Sequence, residues 1–541
     1  MKGKMKAFLH GGAFFALLCL IAKGVGALYR IPLTNIMGAE GIGLYQMVFP
    51  LYSVLLSVSA GGLPSAISKT VSSFAAVGDG ENARRTLRVS ALTLTLAGLC
   101  ATLLLIFLRG KIASLQGNAA AATAYIGIAP AVTVVAVISC LRGYFQGKLD
   151  MLPSGVSQII EQLTKTAVGL FLCYRFMKYG VEYAAFGALL GVTASEVVAA
   201  AYLAVRYAFD YAAYKKRTVV KIGKYATEHA ADFTAARSTR VPYKSLLKNV
   251  YATALPITLG SLVLPISAVI DSILVINLLT LGGESVAGAT ALFGLLNGPV
   301  GSLVNMPAVV TASLAVMLLP KISRLVKNRD RAADTSEKFF RMSLLAAAPC
   351  ALAFMLFSDE ILGVLYRKTM SPELLGTGGI LLAISALSVL FMSLLQPATA
   401  VLQGFDKAHK PALNLIIGAA VKAVLTIVLI RVMGIYGAAT ATVVCFALTC
   451  FLDLLAVRKC IKIKPKYGVF FRSALPALAA QAVMGKLSYF ALAPFTGAFV
   501  AVIVSLVLCF AAYAAVVLAF KGISKEDMGA LAGDKKDGQD A

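Results

Sequence analysis

The sequence contains no tryptophan and only three histidines, His10, His229 and His409, each isolated. Charge is scarce: 14% of the 541 residues are charged, where a water-soluble chain has nearer ~25%. Acids are scarcer still, 25 against 50 Lys and Arg, which leaves a net charge of +25. The nine cysteines sit mostly inside apolar runs and none forms CxxC, so neither a disulfide framework nor a thiolate metal site is expected. No GxxxxGK[ST] phosphate loop is present, and no soluble segment is long enough for a nucleotide-binding domain. Direct ATP coupling within this chain is therefore excluded. The chain has no Ser/His/Asp set and no carboxylate cluster on an aqueous domain. Hydrolysis and glycosyl transfer need one or the other, so no enzyme and no cofactor is expected.

The chain is 59% hydrophobic, and long apolar runs alternate with short basic clusters. Unpaired backbone groups are intolerable in lipid, so runs of this length must cross it as helices. Fourteen such runs are present, at about 8–30, 42–63, 89–108, 122–141, 155–175, 184–205, 250–278, 288–318, 342–358, 377–401, 412–431, 435–456, 472–490 and 495–519. The expected fold class is an all-α integral membrane protein of fourteen transmembrane helices. Met1 to Lys6 and the apolar stretch behind them imitate a secretory leader, but so many later spans favour an uncleaved first helix. Even parity puts both termini on one side. With that side cytoplasmic, 38 of the 50 basic residues fall at cytoplasmic ends, 9 at outer ends and 3 within spans. The expected orientation is N-in, C-in. The positive charge then needs no nucleic acid; the basic 209–246 loop, with Lys215, Lys216 and Arg217, would meet anionic lipid headgroups.

The two halves of the chain resemble each other. Gln146-Gly147 recurs as Gln403-Gly404, Ile159-Ile160 as Ile416-Ile417, Lys165 as Lys422, and Tyr179-Gly180 as Tyr436-Gly437, all 257 residues apart. Ile67-Ser68 after Pro64 is echoed by Ile322-Ser323 after Pro320. A shared offset across polar and glycine positions predicts a tandem repeat. Each copy holds six spans, so both enter the membrane the same way, as parallel repeats. The expected domains are 1–208, the first six spans; 209–246, the inter-lobe loop; 247–460, the next six; and 461–541, two extra helices and a tail.

A charge at the bilayer centre costs a few kcal/mol and usually faces a wet cavity. Lys165 lies about eleven residues into the fifth span, ~16 Å deep at ~1.5 Å per residue. Lys422 is similarly deep in the eleventh. Glu161, one turn before Lys165, is placed to pair with it along a stripe that includes Gln158 and Gln162. Gly418 stands at the corresponding place before Lys422. Lys23 and Arg30 share a face of the first span, among Gly24, Gly26 and Pro32, which loosen a helix. Asp271 is the acid singled out in the seventh span, either as a gate partner of Arg30 or as a proton or cation site. Glu196 in the sixth span is also intramembrane, with no role assigned. Asp453 is expected at a membrane interface. Asn297-Gly298-Pro299 points to an irregular, cavity-lining segment in the eighth span or to a plain kink.

The stretch Leu28-Tyr-Arg-Ile-Pro-Leu-Thr-Asn-Ile-Met-Gly-Ala-Glu-Gly-Ile-Gly-Leu-Tyr45 resembles the first-loop signature of the polysaccharide-biosynthesis branch of the MOP exporter superfamily. Gly61-Gly-Leu-Pro-Ser-Ala-Ile-Ser-Lys69, Arg142-Gly-Tyr-Phe-Gln-Gly147, Pro153 and Gln158-Ile-Ile-Glu-Gln162 carry the same resemblance. It extends over nearly the whole chain and is strongest to the stage V sporulation B and MurJ-type lipid II flippase groups. The resemblance implies a V-shaped, two-lobed fold that exports an undecaprenyl-pyrophosphate-linked sugar precursor by alternating access. It implies essential cavity arginines on the first span, for which Arg30 is the nearest match and Lys23 lies two turns earlier. MurJ-type proteins also use an arginine on the eighth span, yet no basic residue occurs here between Ala291 and Pro320. Lys165 and Lys422 are the candidates to supply that charge. The substrate-contacting set is then Lys23, Arg30, Lys165 and Lys422, with Asp271 and Glu161 for gating or coupling to Na+, H+ or the membrane potential. Two other functions fit the residues. One is a cation-coupled drug or metabolite exporter of the same superfamily; the other is a membrane scaffold or polymerase subunit of wall synthesis.

Overall fold

The computed structural model describes residues 18–522 apart from 20, 23, 27, 78, 229–239, 463–466 and 521, and they are helical almost throughout. Among the described residues, eleven helices are long and apolar enough to cross a membrane. In chain order α1 is Arg30–Leu56, α2 Leu63–Ala76, α3 Gly80–Leu115, α4 Ala121–Gly147, α5 Leu152–Met177 and α6 Val181–Glu228. They are followed by α7 Tyr243–Ser261, α8 Val263–Leu281, α9 Val286–Leu295, α10 Gly301–Leu325 and α11 Arg329–Leu356. The last are α12 Ser358–Tyr366, α13 Pro372–Gly404, α14 His409–Met433, α15 Ile435–Cys460 and α16 Tyr467–Ala519.

The breaks between helices have identifiable causes. Gly38 (φ 69°) interrupts α1 and Gly497 (φ 75°) interrupts α16; both angles lie where a Cβ is strained. The seventh span is two helices parted at Leu262. Pro265 has no N–H to give the carbonyl of Ser261, the last residue of α7. Pro299 likewise deprives Leu295, and a π turn, Leu296–Val300, joins α9 to α10 there. That turn is the irregularity Asn297-Gly298-Pro299 predicts.

The chain packs as two compact units. One takes in the described residues up to Met37 and Leu44–Ser272; the other comprises Gly38–Gly43 and the chain from Ile273 onward. By packing, the seventh span thus belongs to the first unit as far as Ser272, whereas the sequence boundaries group it with 247–460. A hydrogen-bond hub holds it there. Gln116, 1% exposed, donates to Ser272 Oγ at 2.8 Å and to the Met47 carbonyl at 2.9 Å, and accepts from Tyr125 at 2.8 Å.

In the first unit α2 packs on α3 and α4, α3 on α4, and α6 on α4 and α5. In the second, α10 packs on α11 and α13, α11 on α13, and α15 on α13 and α14. Helices in lipid gain most from close backbone approach at small residues, and both units place one at the recurring Gln-Gly. A Cβ on Gly147 would lie 2.7 Å from the Ser68 carbonyl, and one on Gly404 would lie 2.7 Å from Ile322 and 3.4 Å from the Ser323 amide. In each unit, therefore, the Gln-Gly packs on that unit's own Ile-Ser.

Candidate intramembrane binding site

The first unit gathers the polar side chains of four helical segments. Glycines make the approach possible. A Cβ on Gly191 of α6 would lie 2.2 Å from Gly169 Cα of α5. A Cβ on Gly169 would lie 2.7 Å from the Tyr29 hydroxyl, and one on Gly26 would lie 2.7 Å from Gln162 Oε1 and 3.8 Å from Lys165 Nζ. The helical stretch from Gly24 therefore runs against the polar stripe of α5.

Lys165 is half-buried there, its ammonium 5.6 Å from the centre of the Tyr29 ring, within cation–π range. Arg30, Glu161 and Glu196 are the charges whose fields reach it. Glu161 is committed elsewhere: its Oε2 receives Arg142 at 2.9 Å and its Oε1 receives Gln162 at 3.1 Å. Arg142 also donates to Ser157 Oγ at 2.9 Å. The i, i+4 pairing of Glu161 with Lys165 expected from sequence is thus corrected: the carboxylate's ion partner is Arg142, at the end of α4. Glu196 is 5% exposed and accepts from the Tyr52 hydroxyl at 3.3 Å. The Tyr29 hydroxyl and Gln162 Oε1 are buried with no hydrogen-bond partner in the structure. The cluster holds three basic groups, Arg30, Arg142 and Lys165, against two carboxylates. With three basic groups to two carboxylates, the cluster carries a positive balance. A multiply charged anion with several acceptor oxygens suits such a site.

In the second unit, Lys422 is half-buried on α14. Gly418, four residues earlier, packs against Thr449 Oγ1 and Cys445 of α15. One turn further back, Asn414 donates to Asp453 Oδ1 at 2.7 Å. Asp453 is 0% exposed, so its carboxylate is packed inside the protein. Asn414 and Asp453 stand 257 residues after Ser157 and Glu196.

A family model described as polysaccharide biosynthesis protein matches residues 8–326. The chain belongs to the polysaccharide biosynthesis protein family. It is 29% identical to Stage V sporulation protein B of Bacillus subtilis (strain 168), over 85% of each chain. It is 25% identical to the Lipid II flippase MurJ of the same strain, over 88% of this chain and 87% of that one. Among solved structures it is similar to Lipid II flippase MurJ in an inward closed conformation, with a TM-score of 0.69, 14% identity, and coverage of 94% of this chain and 99% of that one. The chain is a multi-pass membrane protein, and one of its relatives is named a lipid II flippase.

Of the sequence-derived site residues, Arg30, Glu161 and Lys165 come together in the first unit, and Asp271, 8% exposed on α8, belongs to that unit too. Lys422 lies in the second unit, and Lys23 lies outside the described residues. Sequence reasoning missed Arg142 and Tyr52, and left Glu196 without a partner. Arg142 sits in Arg142-Gly-Tyr-Phe-Gln-Gly147, which the sequence offers as a family motif and not as a charge partner.

Arg142 and Glu161 are each 18% exposed at the side chain. Removing one partner of such a pair strands the other charge, at a cost of about 3 kcal/mol. Arg142→Leu and Glu161→Leu are each expected to lower the thermal midpoint of the detergent-purified protein. The double Leu variant is expected to regain most of the loss. Additive losses in the double variant would show that the two residues act separately.

Proposed function

We propose that this protein is a flippase for an undecaprenyl-pyrophosphate-linked sugar precursor, lipid II or a close relative. It moves that lipid from the cytoplasmic to the outer leaflet of the bacterial plasma membrane by alternating access. The observation that carries the reading is the cationic, half-buried cluster around Lys165, gathered from four helical segments of the first unit. A pyrophosphate brings anionic oxygens into the membrane and needs cationic hydrogen-bond donors there. Lys165 and Arg30 supply them in the first unit, with Lys23 earlier on the same span, and Lys422 supplies one in the second. Glu161 positions Arg142. Asp271 is the coupling or gating group, acting with Na+, H+ or the membrane potential, each of which can drive transport without ATP.

The reading takes the chain to cross the membrane fourteen times, N-in and C-in. The breaks at Gly38 and Gly497 support that count. The matched helix neighbours in the two units, and the Gln-Gly against Ile-Ser contact in each, support two six-span repeats. Names of relatives add support: a Lipid II flippase and a sporulation protein lie within 25–29% identity over most of the chain. The test is complementation. Expressed in a bacterium depleted of its resident lipid II flippase, the wild-type protein is expected to restore growth and the appearance of lipid II at the outer leaflet. Failure to do either, with the protein present at normal level in the membrane, would overturn lipid II as the cargo.

A further inference from the structure

The second unit carries a cavity of about 610 Å³, lined by the end of α8 and the loop after it, by Thr377 on α13, and by the turn between α14 and α15. Its deepest residues, Leu279, Ile430 and Ile435, are each 4% exposed. Gly434 (φ 58°) reverses the chain between α14 and α15 and sets Arg431 on one wall. Glu284 stands on another, its Oε2 3.2 Å from where a Cβ on Gly288 would lie, over the first turn of α9. Thr377 and Tyr436 add hydroxyls; Leu278, Leu281, Leu292 and Met433 make the rest of the lining apolar.

The two opposite charges share this cavity, yet neither forms an ion pair within 4.0 Å among the described residues. A ligand bearing a cation and an anion a few ångströms apart can engage both at once. A purely anionic ligand leaves Glu284 opposed, and a purely cationic one leaves Arg431 opposed. The apolar half of the lining calls for a ligand with hydrocarbon attached, and the volume lies within the usual range for small-molecule sites, about 300–1,000 Å³. Under the topology proposed above, on which this inference rests, the lining segments of α8, α9, α13 and the α14–α15 turn all lie toward the outer ends of spans, near headgroup level.

We propose that this cavity is a binding site for a zwitterionic aminophospholipid of the outer leaflet. Its phosphate lies on the Arg431 guanidinium, its primary ammonium donates to the Glu284 carboxylate, and its acyl chains leave along Leu281 and Met433. A choline headgroup cannot donate to Glu284, because its nitrogen bears no hydrogen. A glycerol headgroup has no cation at all.

The test is native mass spectrometry of the full-length protein with equal amounts of palmitoyl-oleoyl phosphatidylethanolamine, -choline and -glycerol. Wild type is expected to retain phosphatidylethanolamine about tenfold over the other two, a difference of ~1.4 kcal/mol. Glu284→Gln is expected to erase the preference for ethanolamine over choline, and Arg431→Gln to weaken retention of both. Both side chains are exposed, so neither change should unfold the protein. Equal retention of the three lipids by wild type, or an ethanolamine preference that survives in both variants, would overturn the site. Lipid retention is read without transport, so its failure leaves the flippase reading standing, and failed complementation leaves the site standing.

Discussion

Lys165→Ala is expected to abolish rescue of a flippase-depleted strain at an unchanged level of protein in the membrane, while Lys165→Arg retains most of it. The argument rests on what the substitution leaves behind. Losing one member of a buried ion pair ordinarily destabilises a fold because the other charge is stranded. Here Glu161 keeps its bonds from Arg142 and Gln162, and Glu196 keeps its hydrogen bond from Tyr52. Alanine removes only the ammonium and its contact with the Tyr29 ring, so the fold should stand. Under the proposed function, what goes is a charge-assisted contact to a phosphate, worth ~1.5–3 kcal/mol, or roughly tenfold to a hundredfold in binding. Arginine keeps the charge and adds donors. The measurement is growth under depletion, with membrane level checked by immunoblot. Rescue by Lys165→Ala equal to wild type would remove Lys165 from the substrate-contacting set. A fall in membrane level that tracks the loss of rescue would mark the lysine as structural.

Sequence revealed the parts of this fold that depend on local chemistry. Apolar length gave the helices, Asn297-Gly298-Pro299 an irregularity in the eighth span, and the span gap near Pro494 the break found at Gly497. The Gln-Gly and Ile-Ser recurrences anticipate real packing, because a glycine is needed where two backbones touch. The Tyr-Gly recurrence does not. Gly180 has φ 129° and immediately precedes α6, but Gly437 lies inside α15 against Leu429, and the positive φ falls to Gly434. The two copies differ by three residues at that turn.

The partner of Glu161 was hidden for a different reason. Helical spacing offers Lys165 four residues away, while the actual partner lies 19 residues back, across a turn, and only tertiary packing brings it near. The shared offset does contain further signal. Carried to charged positions, it links Glu196 with Asp453 and also Arg84 with Arg341. All four are at most 7% exposed, although Asp453 reads in isolation as an ordinary interfacial acid. Burial of an acid near a helix end depends on its neighbours, here Asn414, and not on its depth along the sequence.

Gly294→Val is the substitution expected to do most damage for the fewest atoms. By packing, the segment Gly38–Gly43 belongs to the second unit, while the chain on either side of it belongs to the first. Its seat on α9 is made of backbone. A Cβ on Gly294 would lie 2.3 Å from the Ala39 carbonyl and 2.5 Å from the Gly43 amide, and one on Gly43 would lie 2.1 Å from the Thr290 carbonyl. Real Cβ atoms do not come so close, and a backbone carbonyl cannot swing aside as the end of a long side chain can. Gly298 repeats the pattern one turn later against Ile42, at 2.8 Å. Two β-branched methyls at Gly294 must therefore lift the segment off α9 or bend α9 itself, at ~1–3 kcal/mol or more. The lifted segment is the heart of the family's first-loop signature. If that seat has to form and release during transport, Gly294→Val should lose rescue completely and Gly294→Ala in part. Gly110→Val, with nothing within 4 Å of its Cβ, should behave as wild type. Thermal midpoints of the purified variants separate the two ways to fail. A large drop for Gly294→Val means the seat is needed for folding. A wild-type midpoint with no rescue means that this contact works in the transport cycle. Full rescue by Gly294→Val would show that the segment does not sit on α9 in the working protein.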